Sequence, residues 1–113
     1  MATDGNAITT SSTGRKSAIK DPNSTLDYSW DWRDWLAQVG DSIVTATFIV
    51  TDPEGATTPL VVASSVHFDG MVTAFVSGGT VGKTHKLTCR ITTNSTPTPR
   101  TDDRSLYIII RER

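Results

Sequence analysis

The sequence predicts an all-β fold, an antiparallel sandwich preceded by an extended N-terminal arm. Three observations carry this. Runs of β-branched and aromatic residues recur between turn signals. Tyr28, Trp30 and Trp32 stand two apart, the spacing of one strand face. The connections are short, which suits antiparallel neighbours.

Composition sets the bounds. A chain of 113 residues makes one domain, and 36% apolar with 20% charged residues implies a folded body with a generous polar surface. The net charge of −1 gives no basic surface for nucleic acid. A single cysteine, Cys89, excludes an internal disulfide and a cysteine metal site. No apolar run approaches the roughly 20 residues of a membrane helix, and the N-terminus has no hydrophobic signal region. Neither cofactor nor membrane partner is therefore expected.

Residues 1–20 are rich in Thr, Ser, Gly and Asn, and Ile8 and Ile19 are their bulky apolar residues. Ordering costs about 1–2 kcal/mol per residue, more than this tail can offset alone. Order would need strand addition or a groove on a neighbouring chain, or packing back on its own domain. Arg15, Lys16 and Lys20 outweigh Asp4, so an acidic seat is expected. On that reading, deleting residues 1–18 would leave the domain folded.

Asp21-Pro22-Asn23 is a turn signal and opens the domain expected over 21–113. Leu26 to Trp32 is the first strand, with Tyr28, Trp30 and Trp32 inward. Trp32, Trp35 and Leu36 take helical spacing, so one turn of helix should run toward Gly40. Residues 42–51 are a β-branched strand, with Val44, Ala46, Phe48 and Val50 on the core face and Ile43, Thr45, Thr47 and Ile49 outward. Asp52-Pro53-Glu54-Gly55 turns the chain. Leu60–Phe68 and Met71–Val76 flank Asp69-Gly70, a strong hairpin signal. Residues 83–93 carry Leu87, Cys89 and Ile91 inward. Asn94–Asp103, with Pro97 and Pro99, is an exposed loop. Arg104–Arg111 closes the domain with Leu106, Ile108 and Ile110 on one face and Tyr107 and Ile109 on the other. About six strands at this spacing outline an immunoglobulin-like sandwich without the antibody disulfide. Its core should include Trp30, Phe48, Leu87, Cys89 and Ile108.

No motif carries catalytic chemistry. Gly78–Thr84 looks like a phosphate loop, but Ser77 stands where the first glycine is required and a strand follows. His67, Asp69 and His85 make a weak metal set, and both histidines read better as half-exposed strand residues. Asp27, Asp31 and Asp34 lack EF-hand spacing. No Gly-x-Ser-x-Gly elbow occurs. A non-enzymatic interaction protein is expected, with Trp35 at a candidate partner surface because tryptophan is enriched there.

The pattern Asp21-Pro22, Leu26-Asp27-Tyr28, Asp31-Trp32, Leu36 and Gly40-Asp41-Ser42-Ile43 resembles a family of small tailed-bacteriophage virion proteins, the fibre-tail adaptors. Ser77–Gly82, Cys89–Thr93, Arg100-Thr101-Asp102 and Arg111–Arg113 match the same pattern, which covers about residues 20–113. The tail before Lys20 lies outside it, and the loops 51–59 and 94–99 are longer than its usual turns. The resemblance implies an immunoglobulin-like structural protein of the virion, present in multiple symmetric copies between tail or portal-proximal components and fibres. The candidate interface is then Ile8, Arg15, Lys16 and Ile19 on the arm, with Trp35, Pro97 and Pro99 on the loops. A capsid decoration protein and a carbohydrate-binding sandwich are the competing readings.

Overall fold

The computed structural model describes residues 8–10 and 16–112, with side chains from residue 16. The elements are β1 (Ile8–Thr10), β2 (Lys16–Lys20), β3 (Leu26–Asp31), α1 (Arg33–Ala37), β4 (Ile43–Thr51), β5 (Leu60–Phe68), β6 (Met71–Gly78), β7 (Thr84–Thr93) and β8 (Thr101–Ile110). A larger sheet runs β1-β2-β8-β7-β4 and a smaller one β3-β6-β5. Their inner faces meet in a single apolar core, so the fold is a β-sandwich.

Alternation in the sequence places that core. Tyr28 and Trp30 from β3, Val72, Ala74 and Val76 from β6, Leu87, Cys89 and Ile91 from β7, and Leu106, Ile108 and Ile110 from β8 are all buried. Phe48 is half-buried and packs its ring 5.5 Å from that of Trp30. Trp32 lies just past the end of β3 and is fully buried. Its carbonyl accepts the Leu36 N–H at 2.9 Å, so it starts the single turn of α1. Leu36 is buried beneath that turn, and Gly40, at φ 69°, ends it.

Three expectations change. A register shift between Ile43 and Thr45 turns Val44 out to 56% exposure and brings Ile43 onto the core side with Ala46, Phe48 and Val50. A bulge reverses the alternation, which period-two reading cannot anticipate. β8 begins at Thr101, because Asp102 and Asp103 pair with Ile91 and Arg90 despite their polarity. The bidentate Arg90–Asp103 bridge at 2.8 and 2.9 Å supports that polar end of the ladder. His85 is fully buried, not half-exposed.

The N-terminal segment is the largest departure. Lys16–Lys20 form β2 of the chain's own larger sheet, parallel to β8 from Ser17↔Tyr107 to Lys20↔Ile110. Ile8–Thr10 pair antiparallel with β2. Ala18 is buried beside Ile108, so deleting residues 1–18 removes core contacts as well as a tail. Lys20 has no exposed surface and donates through Nζ to the carbonyls of Asp21 at 2.9 Å and Gly78 at 2.8 Å. Burial lowers its pKa from the ordinary lysine value, and the Asp21 carboxylate opposes that fall. Ile8–Thr10 and Lys16–Lys20 find their ladder partners within the chain.

Two turns fix the smaller sheet. Asp69 and Gly70 have φ of 54° and 81°, the doubly positive turn that a tight hairpin requires. Gly79 has φ 100°, and a Cβ there would lie 2.5 Å from Ile110 Cδ1. Its missing side chain lets the β6–β7 turn sit on the end of β8, the physical use of the glycines that imitate a phosphate loop.

Candidate partner interface

The end of the sandwich that carries α1 is built as a clamp. Asp41, whose side chain is 6% exposed, takes the Ser95 hydroxyl on both carboxylate oxygens at 2.6 and 2.5 Å and Arg100 Nε at 2.7 Å. The Arg100 guanidinium lies 3.8 Å over the ring of Trp35, and Trp35 meets Trp32 edge-on at 5.5 Å. Arg104 covers Trp32 at 4.1 Å and donates to the Asp31 carbonyl at 2.8 Å. The hydrogen bond from Ser95, then those from Arg100 and Thr93, hold the Asp41 carboxyl below the usual aspartate range. The loop 94–100 is thus fastened to α1 from beneath, and Pro97 and Pro99 stand exposed on top of it.

Trp35 is therefore half-buried and engaged on two sides. Trp32 Nε1 is buried without a hydrogen-bond partner of ordinary geometry, although its nearness to the Cys89 thiol opposes the effect of burial there. Burial wins, and pushes that thiol up to about 11, so Cys89 is a core residue and not a nucleophile.

The remaining predicted interface residues lie elsewhere. Ile8 opposes Ala18 in β1, and Arg15 lies outside the described residues. Lys16 is exposed at the start of β2, lining with Ser29, Asp31 and Arg104 a groove of about 270 Å³. Ile19 is half-buried beside Ile109. The structure brings Trp35 near the loop of Pro97 and Pro99, and sets Ile8 and Ile19 apart on the flank of the larger sheet.

His67 and His85 are not brought together. His85 Nδ1 is 2.7 Å from Asp52 Oδ1, and its Nε2 accepts the Thr80 N–H at 3.0 Å. An accepting Nε2 leaves the proton on Nδ1, donated to Asp52. This ring ties the β4–β5 loop to the β6–β7 turn. His67 is exposed on β5. No group of three or more metal-ligating side chains occurs among the described residues.

Sequence reasoning missed the barest apolar surface. Phe68 is 82% exposed, Val66 59% and Phe75 40%, all on the outer face of the smaller sheet. The signal was present. Asp69-Gly70 pairs Phe68 with Met71, and burial of Val72, Ala74 and Val76 turns Met71, Thr73 and Phe75 outward. Their partners Phe68, Val66 and Ser64 must follow. Beneath Phe68 an open cleft of about 550 Å³ runs over Leu36 and Ile43 toward Asp41.

No curated protein and no solved structure matches the chain. The family model described as podophage GP4 fiber-tail adaptor protein gp77 matches residues 20–109. That span begins at the buried Lys20 and reaches β8, taking in the smaller sheet, α1 and three strands of the larger sheet. An all-β sandwich with a clamped loop end and bare strand edges is thus matched over most of its length, and the chain belongs to the podophage GP4 fiber-tail adaptor family.

Proposed function

We propose that this protein links tail or portal-proximal components of a phage particle to fibres, as a structural adaptor repeated in symmetric copies. Its family membership over residues 20–109 is the observation that carries this reading. The architecture supports it. An adaptor needs two separate contact surfaces, and the sandwich has strand edges on opposite flanks, β1 on one and β4 with β5 on the other. The flank that carries Ile8, Lys16 and Ile19, with Arg15, serves one neighbour, and the loop of Pro97 and Pro99 at the α1 end serves another; Lys16–Lys20 belong to the body through β2. The work is binding, with no cofactor, nucleic acid or membrane.

Imaging of particles produced with and without the protein tests this. Particles lacking it should keep heads and tail stubs and lose fibres, and density for the protein should appear at about a dozen symmetry-related positions or fewer. Hundreds of copies over the capsid would instead make it a decoration protein.

A further inference from the structure

We propose that the free edge of β5 is a strand-addition site for an extended segment of a protein partner, apolar at alternate positions and basic at one end. The partner's existence rests on the adaptor reading; the place and the chemistry follow from β5.

Among the described residues β5 pairs only with β6. Its last five residues, Ser64–Phe68, are exposed whichever face they occupy. A two-residue turn makes Phe68 and Met71 a hydrogen-bonded pair. By the antiparallel alternation, Ser65 and His67 then direct their backbone N–H and C=O groups to the free edge. Natural sheets blunt such edges with charge, proline or cover, and Ser64-Ser65-Val66-His67-Phe68 carries no lysine, carboxylate or proline.

Both faces of an added strand would find a seat. Its outward side chains would extend the stripe of Phe75, Val66 and Phe68. Its inward ones would enter the cleft over Leu36 and Ile43. The charge at the hairpin end selects the partner. Asp69 sits at the tip, and with Asp34 of α1 it acts on Arg33, whose guanidinium is engaged by Asp31 at 2.9 and 2.7 Å. The carboxylates of Asp31, Asp34 and Asp69 outnumber Arg33 and Arg104, the two cations beside them, so a lysine or arginine is the complementary group. A second copy's β5 does not supply it, since Leu60–Phe68 holds no lysine or arginine.

The probe is a capped nine-residue peptide alternating valine and threonine and ending in two lysines, with a counterpart ending in two glutamates. Each is titrated into the full-length isotope-labelled chain, and amide exchange is read by NMR. The lysine peptide should slow exchange at Ser65 and His67 at least tenfold, and the glutamate peptide should bind at least tenfold more weakly. His67→Pro removes an edge donor without touching the β6 ladder and should abolish the effect; Val66→Lys with Phe68→Ser should do the same should the proline variant fold poorly. Unchanged exchange at β5, protection at β1 or β4 instead, equal binding of both peptides, or concentration-dependent protection of β5 without peptide would each overturn the proposal. Particles separate the two readings. Loss of β5 protection with the protein present in fibred particles overturns strand addition alone, and protection with the protein absent from particles overturns the adaptor role alone.

Discussion

Trp35 and Phe68 are both large aromatics near the same end of the sandwich, and they live under opposite conditions. Trp35 is gripped between the Trp32 ring and the Arg100 guanidinium, which Asp41 holds in turn. Phe68 leaves 82% of its surface in water at a hairpin tip with no ring partner among the described contacts. The first side chain helps close a loop onto the body; the second leaves most of its surface in water. Two aromatics of similar size thus differ in what surrounds them: Trp35 has partners on two sides, and Phe68 stands on a strand that pairs with β6 alone among the described residues.

Four measurements break or sharpen that contrast. Trp32→Ala has the largest expected effect, about 3–5 kcal/mol in denaturant unfolding, because the ring is fully buried and supports Trp35. Trp35→Ala should cost less, about 1–3 kcal/mol, as fits a half-buried ring. A neutral result there would show that Trp35 contributes nothing to the folded body and would leave partner binding as its role. Asp41→Asn tests the clamp through pH. The folded Asp41 carboxyl titrates below the ordinary value of 3.8, so its stabilisation is complete above that value and is lost as pH falls through the lowered one. The variant should unfold more easily at neutral pH and lose less on acidification, read as melting temperature against pH between about 2 and 6. The exposed Asp31, held at about 2 chiefly by its hydrogen bonds from Arg33, should contribute little to that limb. Phe68→Ser should come last, within about 0.5 kcal/mol of the parent. A larger loss would show the hairpin tip to be part of the folded body.

Strands β3, β7 and β8 were legible because no register shift interrupts the pairing of β3 with β6 or of β7 with β8. Tyr28 and Trp30, Leu87 to Ile91, and Leu106 to Ile110 are buried as their spacing requires. What escaped has particular causes. Val44 is turned out by a bulge, and a bulge leaves no mark in the alternation itself. Lys16–Lys20 read as polar tail, and become a strand because β8 offers a ladder that composition does not reveal. His85 reads as a surface residue until Asp52 and the Thr80 amide are seen to satisfy both its nitrogens. Phe68 was the readable exception, since the hairpin register puts it on the face of Met71, Thr73 and Phe75, opposite the buried Val72, Ala74 and Val76.

The parallel pairing of β2 with β8 has a mechanical consequence. β2 enters the sheet from the N-terminal side and β8 leaves it toward the C-terminus, with rungs from Ser17↔Tyr107 to Lys20↔Ile110 and a last bond from the Arg111 N–H to the Lys20 carbonyl at 3.0 Å. Tension applied at Lys16, where β2 starts, and at Ile110, where β8 ends, runs along these strands in opposite directions. It therefore shears all the rungs at once, where a hairpin such as β5–β6 pulled open from its two strand ends would unzip one pair at a time.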